Sequence, residues 1–180
     1  MTVIEAPTLI LLTGGRGAGK TSLCREAAQW ARVKNWDVAG LLSPARFEGS
    51  LKTGIDVVDL RSGQSRPLAC LRARSEEPAS GTHTRRWAFD EAAVAWGNDV
   101  LQESVPCDFL IVDELGPLEL ERGEGWTQGI AAINSRQYPR ALVVIRPELV
   151  STALGHWPQA VLLDVTDQAQ ARDHLRRLLF

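Results

Sequence analysis

The stretch Gly14-Gly15-Arg16-Gly17-Ala18-Gly19-Lys20-Thr21 fits the pattern G-x-x-x-x-G-K-[ST] without a mismatch and constrains the chain more than any other feature. A chance match in a chain of this length has a probability on the order of one in a hundred or less. The surroundings lower it further. Thr8 to Thr13 is a continuous apolar run of the kind buried on both faces of a parallel sheet, and Thr21 to about Lys34 favours helix. Glycines let such a loop wrap closely around phosphate oxygens, in backbone conformations that a Cβ would obstruct. The backbone N–H groups of about residues 15 to 21 are then expected to converge on a β-phosphate at the positive end of the helix. Lys20 is placed to reach the β and γ oxygens and the Thr21 hydroxyl to coordinate Mg²⁺. The phosphate-binding set runs from Gly14 through Ser22.

Strand, Gly-rich loop, helix and a second strand at Val38 to Leu42 give the βαβ grammar of an α/β fold with a mostly parallel sheet. The middle departs from it. Ile55 to Asp59, the turn Arg61-Ser62-Gly63-Gln64 and Arg66 to Cys70 read as an inserted β-hairpin. The polar stretch 72–86 is expected to be a mobile loop. Helix is expected from Phe89 to Glu103, with Phe89, Ala92, Ala93, Trp96, Val100 and Leu101 on its apolar face. Further strands follow at Phe109 to Val112, Ala141 to Ile145 and Val161 to Val165, with helices over Gly125 to Ser135 and Asp167 to Phe180. The whole, 1–180, is read as one domain.

The strand Phe109 to Val112 delivers Asp113 and Glu114 at its C-terminal end, where open α/β sheets bind ligands. Asp113 is the candidate to hold Mg²⁺ through its water shell. Glu114, one residue on, can orient and deprotonate an attacking water. A cation on a γ-phosphate would complete the set, the candidates being Arg146 past the third buried strand, Arg85 or Arg86, and Arg16. Glu119 can cap the next helix or arrange the site.

Composition narrows the partners. A formal net charge of −2 argues against nucleic acid. Cys24, Cys70 and Cys107 form neither a disulfide framework nor a zinc pattern and are expected as small core residues. Neither a secretory segment nor a membrane-spanning apolar run is present in the sequence, so a cytoplasmic location is expected.

The loop, the hairpin and Asp113-Glu114-Leu115-Gly116-Pro117-Leu118-Glu119-Leu120 together resemble the nucleoside-triphosphatase family first described in thermophiles, also called the cancer-related nucleoside triphosphatase family. Its members read D-E-[IL]-G-x-[ML]-E-L at the acidic element. Gly54-Ile55-Asp56-Val57-Val58-Asp59-Leu60-Arg61-Ser62-Gly63 is similar to the family's hairpin region. The resemblance implies a three-layer P-loop NTPase with a RecA-like sheet and an inserted β-hairpin. It also implies Mg²⁺-dependent hydrolysis of nucleoside triphosphates, ATP, GTP or others, with loose base selectivity. Carried over by residue, Lys20 and Thr21 bind phosphate and Mg²⁺, Asp113 supports Mg²⁺ and Glu114 activates water. Two departures concern the base. Ser43-Pro44-Ala45-Arg46 stands where many members have T-x-E-x-R, and Arg86-Trp87-Ala88-Phe89 replaces the usual Gly-x-Tyr. Trp87 and Phe89 are aromatic candidates for stacking on a base.

Two other outcomes share the phosphate loop: a kinase that passes the γ-phosphate to a small acceptor, and a binding module whose hydrolysis times its attachment to a partner. A water-activating Glu directly after the Asp favours hydrolysis, while the four arginines of 72–86 keep transfer open. A guanine-reading N-K-x-D motif does not occur in the sequence.

Overall fold

A computed structural model describes residues 6–71 and 87–180; the expected loop over 72–86, with Arg85 and Arg86, falls outside these residues. The first unit is strand β1 (Thr8–Thr13), helix α1 (Lys20–Val33) and strand β2 (Val38–Leu42). Strands β3 (Ala45–Glu48), β4 (Leu51–Asp59), β5 (Ser65–Leu71) and β6 (Trp87–Phe89) follow, then helix α2 (Glu91–Glu103). Strand β7 (Phe109–Leu115), helix α3 (Thr127–Ser135), strand β8 (Arg140–Ile145), helix α4 (Val150–His156), strand β9 (Val161–Asp164) and helix α5 (Gln168–Leu179) complete it.

Five strands lie parallel in the order β2-β7-β8-β1-β9, so β8 separates the strand that precedes the Gly-rich loop from the acidic strand β7. This is the expected RecA-like sheet. Period-two alternation along each strand feeds two apolar layers. Leu11, Leu110, Val112, Ala141 and Val143 face α2, α3 and α4, while Ile10, Leu12, Phe109, Ile111, Leu142 and Val144 face α1 and α5. Both faces are covered, which explains why these strands read as unbroken apolar runs. Helix against sheet against helix is the expected three-layer architecture.

The expected hairpin is the middle of a larger antiparallel wing. β4 pairs with β2 through Leu41↔Asp59 and Leu42↔Val58, so the wing extends the main sheet. β3 and β6 flank the hairpin on either side, pairing with β4 and β5. β3 is exposed at every residue and so has no apolar alternation to reveal it. Phe89 belongs to β6, opposite Ala69, and not to the helix. The Asp90 carboxylate accepts from the Ala93 N–H at 2.8 Å and starts α2 after that strand. Consequently Ala93, Gly97 and Leu101 make the buried face of α2, and Ala92 is exposed. Helix α4, seven residues long, is too short to show a period. Cys24 and Cys107 are buried as expected; Cys70 is exposed on β5, contrary to the core reading.

Gly40 ties β2 to β7 at close range. Its φ is +106°, and a Cβ there would lie 1.9 Å from the Ile111 carbonyl oxygen. Gly40→Ala therefore strains the backbone and forces the central strands apart. It is expected to lower stability by about 3 kcal/mol or more in urea unfolding, or to prevent folding; a loss under about 1 kcal/mol would show that the pair can adjust.

Candidate active site

The loop between β1 and α1 is shaped by glycines at positive φ: Gly14 at 141°, Gly17 at 76° and Gly19 at 91°. Gly14 is also confined by space, since a Cβ there would sit 2.5 Å from Val165 Cγ2 in the segment after β9. The Ala18 N–H donates to Gly15 O at 3.1 Å and folds the loop into a turn. Gly19 occupies the N-cap of α1 without a side-chain cap. The first N–H groups of the helix, Lys20 to Ser22, thus have no intrahelical acceptor and face the loop with the positive end of the helix dipole. Lys20 Nζ donates to Gly14 O at 2.6 Å and to Gly15 O at 3.0 Å, its ammonium folded over the loop's own carbonyls. Arg16, at the loop's outer turn, is exposed.

Asp113 lies at the C-terminal end of β7, only 3% exposed. The Thr21 side chain stands near its carboxylate and favours the charged form, so the loop helix and the acidic strand meet there. On its other side the Ser43 N–H donates to Oδ2 at 3.2 Å, and the Ser43 hydroxyl donates to the Asp113 carbonyl. Burial pushes the Asp113 carboxyl up from 3.8 to about 6, against the opposing pull of Thr21, Ser43 and Lys20. The neighbouring Cys24 thiol is also raised, by burial first and then by Asp113. In the sequence Ser43 stands out only as part of a departure from the family pattern. Its place beside Asp113 follows from the parallel pairing of β2 with β7, Leu41 opposite Val112, which no local pattern reveals.

Glu114 and Arg146 meet. Arg146 Nε donates to Glu114 Oε1 at 2.7 Å, across the ends of β7 and β8, with both side chains partly exposed. The strand order makes this contact, because the residue after β8 must sit beside the end of β7. The Asp113–Glu114 peptide bond is cis. Glu119 serves the neighbouring loop: Oε2 accepts from the Gly116 N–H at 2.7 Å and Oε1 from the Trp126 N–H at 3.0 Å. It pins the chain where it leaves β7 and again where α3 begins.

Of the aromatic candidates, Trp87 is 8% exposed and Lys52 Nζ stands 5.1 Å from its ring centroid, so it offers no open stacking face. Phe89 packs against the core. Arg46 is paired with Asp56 on the wing.

A glycine-built loop between a buried parallel strand and an uncapped helix, with a buried carboxylate beside the helix's second residue, defines a P-loop nucleotide-binding protein. Within that class the chain belongs to the NTPase family, whose profile matches residues 9–177. Nucleoside-triphosphatase THEP1 of Methanopyrus kandleri is 31% identical over 116 residues, which are 64% of this chain and 61% of that protein. The chain thus spans about six-tenths of that relative's length. The solution structure of a human cancer-related nucleoside triphosphatase has the same fold, at a TM-score of 0.73 and 19% identity, covering 96% of this chain and 95% of the other. The crystal structure of THEP1 from the hyperthermophile Aquifex aeolicus follows at a TM-score of 0.61 and 16% identity, covering 96% and 99%.

The raised Asp113 carboxyl has a definite sign in stability. The folded protein holds this proton more tightly than the unfolded chain, so stability falls as pH rises from about 4 to about 6 and is flat above. The shift corresponds to about 3 kcal/mol. Asp113→Asn, which retains an acceptor for Thr21 or Ser43, is expected to raise the thermal midpoint above pH 7 and to match wild type near pH 4. A variant less stable than wild type at neutral pH would show that the hydrogen bonds outweigh the burial.

Proposed function

We propose that this chain hydrolyses nucleoside triphosphates to diphosphate and phosphate with Mg²⁺, residues 1–180 acting as one unit. The contact between the Thr21 hydroxyl and the buried Asp113 carboxylate carries this reading, because it draws the phosphate loop and the acidic strand end into one site. The relatives whose printed names state an activity are nucleoside-triphosphatases, which favours hydrolysis over transfer to an acceptor or partner-timed release.

The donors suit Mg²⁺. Thr21 and Asp113 supply hard oxygens, and a dication would keep the Asp113 carboxylate ionised against its burial. Among the described residues no three His, Cys, Asp or Glu side chains gather into a protein cage. That fits an ion held largely by phosphates and waters. Bound there, Mg²⁺ would neutralise phosphate charge and align the γ-phosphate for in-line attack.

Lys20 would exchange the carbonyls of Gly14 and Gly15 for β and γ oxygens, trading two neutral acceptors for charged ones. The loop N–H groups of Gly15 to Ser22 would hold the β-phosphate. Glu114 would take the proton of the attacking water as its oxygen bonds to the γ-phosphorus and the bond to the β–γ bridging oxygen breaks. Arg146 is close enough to Glu114 to serve the same phosphate, transferring its donors from the carboxylate to γ oxygens. The three cysteines are free thiols, in keeping with a cytoplasmic setting, and no described helix is long and apolar enough to cross a membrane.

Phosphate release across the common nucleoside triphosphates, with and without Mg²⁺, tests this directly. Glu114→Gln is expected to lower kcat by about a thousandfold while nucleotide affinity stays within about threefold; full activity in that variant would remove Glu114 from the chemistry. Lys20→Ala is expected to weaken nucleotide binding by at least about tenfold, read by calorimetry. Arg146→Ala should lower kcat by about a hundredfold with a small change in affinity.

A further inference from the structure

We propose that Gln168, the first residue of α5, contacts the nucleoside, so that ribose and base lie against the first turns of α1 and α5; this rests on the phosphate-loop reading above. The argument is one of direction. Asp113, Glu114 and Arg146 stand at the ends of β7 and β8, all on one side of β1. The γ end of a triphosphate belongs there. β9 and α5 lie on the opposite side of β1.

Helix α1 carries the same polarity. Thr21 faces Asp113, whereas Glu26, about 140° further round the helix, faces α5. There Arg172 Nε forms an ion pair with Glu26 Oε2 at 2.8 Å. One turn N-terminal to Arg172, Gln168 Nε2 donates to Ala18 O at 3.0 Å. A Cβ on Gly19 would lie 3.0 Å from that same nitrogen. Gln168 is therefore the side chain set against the loop's Ala18–Gly19 corner. A chain of phosphates that starts at Thr21 and Asp113 and crosses the loop leaves past Ser22, which is exposed, toward this corner.

The chemistry fits a weak reader of bases. A primary amide presents one acceptor and two donors on a rotatable stem, so it can accept from an exocyclic amino group or donate to a ring nitrogen or carbonyl. Ser22 and Gln168 are both exposed, so a base set against them stays open to water on one side. One adaptable amide in so open a place discriminates little between purines and pyrimidines, in contrast to a closed pocket whose polar groups would be left unpaired by the wrong base.

Two ligands separate the nucleoside from the phosphates: the imido analogue of ATP and inorganic tripolyphosphate, each titrated with Mg²⁺ into wild type and Gln168→Ala by calorimetry. Gln168→Ala is expected to weaken the nucleotide about tenfold and to leave tripolyphosphate within about twofold. Retained tripolyphosphate binding also reports a folded loop. Equal weakening of both ligands would mean that Gln168 only braces Ala18, and no change in either would remove it from the site; each overturns the inference. Wild-type protein that binds neither ligand would instead overturn the phosphate-loop reading beneath it.

Discussion

A single buried carboxylate holds the working parts of this molecule in register. Asp113 receives a hydrogen bond from Ser43 after β2 and has Thr21 of α1 close by, while its own backbone belongs to β7. Three elements distant in sequence meet on one side chain. A carboxylate in such a place is electrostatically unfavourable by itself, and burial raises its pKa despite the opposing hydroxyl and amide. The apolar strands on either side of Asp113, fully buried in both layers, supply the stability that makes this tolerable.

Strand order decides which side chains can cooperate. With β8 between β1 and β7, the residue following β8 reaches the end of β7, and Arg146 finds Glu114. The same order leaves the far side of β1 to β9, whose continuation at Val165 closes against Gly14. The loop is thus clamped between a polar edge and an apolar one. Glu119 extends the clamp outward by fixing Gly116 and Trp126, so the segment leaving β7 is hydrogen-bonded at both ends.

Much of this was legible in the sequence because its causes are local. The runs Thr8–Thr13 and Val38–Leu42 are strands with the expected bounds, since burial on both faces leaves an unbroken apolar signature. The loop from Gly14 to Thr21 was readable because positive φ selects glycine. What escaped was set by pairing or by exposure. Ser43 gained its place from β2 lying beside β7, and β3 has no buried residue to mark it. Phe89 resembled the start of an apolar helical face because its neighbour Asp90 can be read as a surface residue as easily as an N-cap. Cys70 was placed in the core by the habit of its residue type, whereas the outer face of β5 leaves it exposed.

The same topology separates two demands that a nucleotide site must meet. On the proposed reading, phosphate chemistry falls to α1, β7 and β8, whose donors and carboxylates are fixed by buried strands and a helix terminus. The nucleoside would then lie at the first turn of α5, joined to the loop by one amide and to the flank of α1 by one exposed ion pair. Exposed pairs of that kind contribute little to stability, so residues there can change without disturbing Asp113 or the loop. The chain's departures at Ser43-Pro44-Ala45-Arg46 lie on a third edge, where β2 leads into the antiparallel wing; Ser43 still serves Asp113, while Arg46 turns to Asp56. The backbone at that edge therefore keeps the carboxylate's donor whatever the neighbouring side chains do, because it is the Ser43 N–H and not a wing residue that reaches Asp113.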